Sequence, residues 1–118
     1  MQVRHGVLVA ALLVLAAPAA HSGGERDKAP ADLAREGVQA YAQEDYGRAR
    51  HLLRRAAEAG APRAQYYLGR MYSWGHGVQR DETIASRWIL KAARGGFRHA
   101  QEVIAARYMD GTGLPRDH

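Results

Sequence analysis

The chain has 118 residues, with 17 Lys or Arg against 12 Asp or Glu, so its formal charge is +5. This length allows one small domain at most, and the lack of cysteine excludes disulfides and a lipid-modified N-terminal cysteine, so packing alone must hold the fold together. The modest positive charge favours acidic partners or anionic surfaces, and the excess of Arg over Lys is typical of GC-rich bacterial genomes.

The first 22 residues have the layout of a secretory signal peptide. Arg4 precedes an apolar run from Val7 to Ala17, and small residues follow that suit cleavage after Ala19 or Ser22. The run of 11 residues is well below the roughly 20 apolar residues that span a bilayer. We therefore expect a periplasmic or secreted protein with a cleaved signal and no transmembrane span, with a membrane anchor as the weaker alternative.

Helical periodicity begins after residues 23–30, which we interpret as a flexible lead-in. Two helices are predicted in the first unit, 31–60, with apolar or small residues on one face of each. Asp45 is a candidate N-cap for the second helix, and Gly60 is expected to end it. The predicted buried positions are Leu33, Gly37, Ala40 and Tyr41, then Ala49, Leu52, Leu53, Ala56 and Ala57.

The second unit, 61–96, repeats this pair of helices. Pro62 suits the first helical turn, where its missing N–H costs nothing, and two glycines within 74–78 allow a tight connector. Asp81 is the candidate cap of the next helix, and Gly95-Gly96 should stop it. The predicted buried positions are Ala64, Leu68, Met71 and Tyr72, then Ile84, Ala85, Trp88, Ile89, Ala92 and Ala93, with Gly69 allowing a close helix crossing.

The third unit, 97–118, matches the second at an offset of 36 residues and stops where its second helix should begin. Repetition of this kind is typical of stacked helix pairs, because each unit must bury the same face against its neighbours. We therefore predict an all-α fold, a short right-handed α/α solenoid of about two and a half helix-turn-helix repeats. The matched positions are Ala64, Leu68, Gly69, Tyr72, Gly75, Gly77, Val78 and Asp81 with Ala100, Ile104, Ala105, Tyr108, Gly111, Gly113, Leu114 and Asp117.

The stretch 64–96 resembles one full unit of the Sel1-like repeat family, an α/α solenoid related to tetratricopeptide repeats. Residues 100–117 resemble the first half of another unit, whereas 31–60 lack the Gly-x-Gly connector and are more similar to a tetratricopeptide unit. The resemblance implies an adaptor or scaffold that holds proteins or peptides on a helical surface, and bacterial members are often exported. It is carried by Ala64, Leu68, Gly69, Tyr72, Gly75, Gly77, Val78, Asp81, Ala85, Trp88, Ala92, Ala93 and Gly96.

No pattern predicts a catalytic, cofactor-binding or metal site. The six histidines lack metal-ligand spacing, and His76 is interpreted as an exposed polar residue. The Gly-x-Gly connectors lack the third glycine and the preceding strand of a dinucleotide fingerprint. Asp45, Asp81 and Asp117 recur at one position per unit, which favours helix caps over catalytic acids.

The second predicted helix has a basic side, which we interpret as a solvated face, so no nucleic-acid partner is expected. Its members are Arg48, Arg50, His51, Arg54 and Arg55.

Binding residues are expected on the first helices of the units, which usually line the concave side of such arrays. Tyr66, Arg70 and Trp74 are spaced i, i+4, i+8 and should form one ridge, and these residue types often anchor protein interfaces. The alternative is that the two rings pack between units. The partner-binding candidates are Arg63, Tyr66, Arg70, Trp74, His99 and Glu102.

We therefore predict an exported bacterial adaptor that binds proteins or peptides without catalysis. A second possibility is a small exported hydrolase-like enzyme, for which titratable side chains should converge in a pocket; the adaptor predicts a groove with none. A third is attachment to anionic glycan or lipid surfaces through the arginines. The apolar face of the third unit, Val103, Ile104, Tyr108 and Leu114, also predicts self-association or cover by a partner.

Overall fold

The computed structural model describes residues 27–111. Five α-helices of 13 residues follow one another in this range, without a strand, so the all-α prediction is confirmed. The predicted signal peptide at 1–22, Leu114 and the predicted cap Asp117 lie outside the described residues. The helices are α1 (Pro30–Ala42), α2 (Tyr46–Glu58), α3 (Pro62–Trp74), α4 (Glu82–Arg94) and α5 (Arg98–Asp110).

Each helix packs on the next one along the chain, and α1 also contacts α3. The pairs α1–α2 and α3–α4 therefore form two helical hairpins that lie side by side, and α5 packs on α4. In the part of the chain that the structure describes, no helix has the length and apolarity needed to cross a bilayer.

The predicted helix ends are confirmed where they can be seen. The carboxylate of Asp45 accepts a hydrogen bond from the backbone N–H of Arg48 at 3.4 Å, and that of Asp81 accepts one from Ile84 at 2.9 Å. Gly75 ends α3 in the left-handed conformation, at φ 72°. The capping rule therefore applies to both second helices of the hairpins.

Small residues let the two helices of each hairpin approach closely. A Cβ atom added at Gly37 would lie 2.7 Å from the Leu53 side chain, and one added at Gly69 would lie 2.5 Å from Cγ1 of Ile89. Both distances are well below an ordinary van der Waals contact. Packing therefore favours glycine at these positions, because a larger residue would displace the neighbouring side chain, as the sequence predicts for Gly69.

The predicted buried face of α2 is confirmed, and the apolar face of α5 is partly uncovered, as its lack of a paired helix predicts. All five predicted positions of α2 are buried, but in α5 only Ala100 and Ile104 are buried, whereas Ala105 and Tyr108 are exposed. In the second unit, Gly69 lies against Ile89 of α4, the paired helix of the same hairpin, and the hydroxyl of Tyr72 accepts a hydrogen bond from Arg54 of α2. Among the described residues α5 has no such paired helix, so the side chains of Ala105 and Tyr108 have nothing to pack against.

Two glutamines at equivalent positions join consecutive units. The side-chain amide of Gln65 donates to the carbonyl oxygen of Ala57 at 3.2 Å, and that of Gln101 donates to Ala93 at 3.1 Å. Donor and acceptor both recur at the offset of 36 residues. Each bond ties the first helix of one unit to the second helix of the unit before it.

Candidate binding groove

A groove of about 620 Å³ lies between α3, α4 and α5, with the loop before α4 at one side. Three of the six predicted binding residues line it together, which are Tyr66, Arg70 and Trp74 from α3. The full lining is Tyr66, Arg70, Ser73, Trp74, Arg80, Glu82, Ile89, Val103 and Arg107.

The two predicted aromatic residues have different surroundings. Trp74 is 66% exposed and lies over the ring of His76 at 6.4 Å. Tyr66 is partly buried, with its ring 5.1 Å from that of Phe97 in the next unit. Tyr66 therefore packs between units, which is the alternative to a binding role, whereas Trp74 does not.

The other three predicted residues lie outside the groove lining. His99 is exposed beside Tyr66, at a ring distance of 6.3 Å, and its Nδ1 is 3.4 Å from Oε1 of Glu102. Arg63 is exposed in the first turn of α3. Tyr66, Arg70 and Trp74 thus lie together in one groove, whereas Arg63, His99 and Glu102 do not line it, and the binding role of all six stays a prediction.

Arg70 is surrounded by aromatic rings. Its guanidinium carbon lies 6.0 Å, 5.9 Å and 5.7 Å from the ring centroids of Tyr41, Tyr66 and Tyr67. A cation held near the face of a ring is attracted by the ring quadrupole. Within residues 27–111, no carboxylate forms an ion pair with Arg70. The tyrosine rings therefore hold the guanidinium of Arg70 in position, and its positive charge has no carboxylate partner among these residues.

The floor of the groove holds a polar cluster that the sequence analysis missed. Arg107 donates hydrogen bonds to Glu82 at 3.1 Å, to the hydroxyl of Ser86 at 2.9 Å and to that of Ser73 at 2.9 Å. Its side chain is only 15% exposed, and Ser86 is fully buried. The cluster therefore joins α3, α4 and α5 at one point.

A signal for this cluster is present in the sequence. Ser86 is next to Ala85 and three residues before Ile89, on the apolar stripe of α4. A hydroxyl on a buried stripe needs a hydrogen-bond partner. Nothing local indicates which side chain supplies it, because Arg107 is 21 residues away.

The carboxylate of Glu82 is held in its charged form. Partial burial alone would raise its pKa, but hydrogen bonds from Arg80, Arg107 and Ser73, with the charge of Arg107, outweigh burial and lower the pKa below its usual value. Such a carboxylate is a weak proton acceptor and does not donate a proton near neutral pH. The arrangement is suited to holding helices and charges in place.

The prediction of a groove without convergent titratable groups is therefore wrong. Glu82 pairs with Arg80 and Arg107 there, because the helices of two units join at this point through charged side chains. In the described part of the chain, no three His, Cys, Asp or Glu side chains come together as metal ligands would.

His76 is not the exposed polar residue that the sequence analysis expects. Its Nδ1 is hydrogen-bonded to the hydroxyl of Tyr41 at 2.8 Å, and its ring stacks on that of Tyr46 at 4.7 Å. Burial raises the pKa of the Tyr41 phenol, although the charge of Arg70 opposes this. His76 thus fastens the connector of the second unit to the first hairpin.

Comparison with known proteins identifies a family and a solved structure of similar fold. The profile of the Sel1 repeat matches residues 31–60, 62–97 and 98–118. The crystal structure of a Sel1 repeat protein from Oxalobacter formigenes is similar, with a TM-score of 0.67 and 24% sequence identity over 81% of this chain and 76% of that one. At that identity the likeness shows the fold alone. Comparison with curated proteins gives no match.

Proposed function

The chain belongs to the Sel1 repeat family, and from that premise we propose that it binds a peptide segment of another protein in the groove between α3, α4 and α5. Proteins built from Sel1 repeats are generally scaffolds for protein interaction, and the family is typically non-enzymatic. The proposal for this chain adds the location of the binding surface.

The observation that carries the proposal is the exposure of Trp74 at the edge of a structured groove. A tryptophan that is 66% exposed leaves a large apolar surface in water, and burying it in a complex would contribute on the order of 2 kcal/mol. Interface anchors are enriched in Trp, Tyr and Arg, and this groove has all three on one helix.

Selection from a displayed library of random peptides tests this proposal. The wild-type chain should enrich peptides whose binding is lost in Trp74→Ala. Tyr108→Ala is the matched control, because Tyr108 is similarly exposed, at 69%, but lies outside the groove lining. If every enriched peptide binds Trp74→Ala as well as wild type, the groove is not the binding surface.

Export is a further part of the proposal. It is supported by the charged start, the apolar run Val7–Ala17 and the small residues after it. Residues 1–22 fused to an alkaline phosphatase without its own signal should deliver active enzyme outside the bacterial cytoplasm. A fusion with Leu12→Arg and Leu13→Arg should not. Equal activity of the two fusions would contradict export through this segment.

A further inference from the structure

We propose that the groove selects a peptide segment with a carboxylate, which pairs with Arg70, and with an apolar side chain that packs on Trp74. This inference rests on the proposed function and specifies its ligand. A carboxylate at a C-terminus and one on an Asp or Glu side chain offer the same chemistry, and the experiment below separates them.

The groove has a net positive charge. Three arginines and one glutamate line it, so its formal charge is +2. Arg107 and Arg80 are both bonded to Glu82, at 3.1 Å and 3.2 Å. Arg70 differs, because its guanidinium lies among tyrosine rings and pairs with no carboxylate of residues 27–111. It is therefore the arginine of the groove whose charge is available to a ligand.

The tyrosine rings around Arg70 orient its guanidinium for a ligand. Three rings at 5.7–6.0 Å restrict its side chain before any ligand binds. Ring contacts use the charge of the guanidinium and leave its N–H donors for another acceptor. A carboxylate matches this fork in a bidentate pair. The entropy lost on binding is smaller because the side chain is already ordered.

The spacing of Arg70 and Trp74 determines which residues of a peptide can contact both side chains. They are four residues apart on α3, which corresponds to roughly 6 Å along the helix axis. In an extended peptide, residues i and i+2 point to the same side and lie roughly 6.6 Å apart. The preferred segment therefore has an acidic and an apolar residue two positions apart, and the partly buried Val103 adds apolar surface to the same groove.

A peptide fits these observations better than an anionic surface. Lipid headgroups are held by clusters of several Lys or Arg, whereas this groove offers one cation without a carboxylate partner. Binding to vesicles of phosphatidylglycerol is therefore the result that would contradict a peptide ligand.

The first arm of the experiment is the peptide selection repeated with Arg70→Gln. Wild type should enrich peptides with Asp, Glu or a C-terminal carboxylate two positions from an apolar residue, and Arg70→Gln should lose that bias. If the enriched peptides depend on Trp74 but show no acidic bias, this inference fails and the proposed function stands. If no enriched peptide depends on Trp74, the proposed function fails.

The second arm uses synthetic peptides and the fluorescence of Trp74, in a Trp88→Phe background that leaves it the only tryptophan. Acetyl-Gly-Ser-Glu-Ala-Leu-Ser-Gly-amide should bind at least about fivefold tighter than the same peptide with Gln for Glu. Acetyl-Gly-Ser-Leu-Ala with a free carboxylate, compared with its amide, tests the C-terminal source. The same preference in either pair supports the inference.

The variants of Arg70 complete the test. Arg70→Gln should reduce the preference for Glu over Gln to less than about twofold, and Arg70→Lys should keep part of it because the charge remains. Since the Glu and Gln peptides are compared on wild type, the inference can fail without any variant. Equal affinity within both peptide pairs, or tighter Arg70-dependent binding to phosphatidylglycerol vesicles, would overturn it.

Discussion

Replacing Arg107 with Met should destabilise the docking of α5 more than any other surface change on that helix. Met keeps the length and the apolar stem of Arg but removes all three hydrogen bonds on the groove floor. Glu82 keeps its contact with Arg80 at 3.2 Å. Ser86 is fully buried and loses the partner that its hydroxyl has in this cluster.

The magnitude follows from these partners. A hydrogen bond to a charged group contributes about 1.5–3 kcal/mol, and a buried hydroxyl left without a partner costs about 1–3 kcal/mol. The bonds share one guanidinium and do not add, so the expected loss for Arg107→Met is about 2–3 kcal/mol. Adding Ser86→Ala to that variant removes the orphaned hydroxyl and should restore about 1 kcal/mol.

Urea unfolding and hydrogen exchange of the α5 amides measure this effect. The matched control is Arg98→Met, because Arg98 is on the same helix, is 88% exposed and has only a long contact of 3.8 Å with Glu102. Its cost should be within about 0.5 kcal/mol of zero. The reasoning is refuted if Arg107→Met costs no more than Arg98→Met, or if the faster exchange is not concentrated in α5.

Three further predictions concern packing, charge and the bonds between units. Gly69→Ala should destabilise by about 1–3 kcal/mol in urea unfolding because its Cβ would overlap α4, whereas Gly47→Ala, with no atom within 4 Å of the added Cβ, should not destabilise. The pKa of Glu82 is lowered in the folded state, so its contribution to stability is present above the usual pKa and is lost as the pH falls through the folded-state pKa. The difference in unfolding free energy between wild type and Glu82→Gln should therefore shrink on acidification from pH 6. A constant difference would contradict this prediction. Gln65→Ala should cost about 1–2 kcal/mol and Gln101→Ala less, since the bonds are alike in length but only the first is buried; equal thermal shifts would show that burial does not set the cost.

The fold could be predicted because its determinants are local and repeated. The periodicity of small and apolar residues predicts the helices, and Asp45 and Asp81 predict where two of them begin. The spacing of α3 predicts that Tyr66, Arg70 and Trp74 share one side, which the groove lining confirms. Each of these features depends on residues within one or two helical turns of each other.

The rest could not be predicted because it depends on contacts between units. Arg107 and His76 are polar residues that a single sequence assigns to solvent, yet each is bonded to a helix more than 20 residues away. The exposure of Tyr108, by contrast, agrees with the predicted apolar face of the third unit that has no paired helix. One interaction did have a visible signal, since the glutamine and its acceptor recur at the same offset as the glycines.

One wall of the groove is formed by α5, the helix with the weakest packing. α5 buries only Ala100 and Ile104, and the other walls come from the tightly packed hairpin α3–α4. Val103 and Arg107 are therefore the lining residues whose position depends on α5 staying docked. A segment bound against them adds contacts that exist only when α5 is docked, and binding to the docked state alone must stabilise it. In the proposed complex, ligand binding and the docking of α5 should therefore stabilise each other, and Arg107 is the lining residue that holds α5 in place.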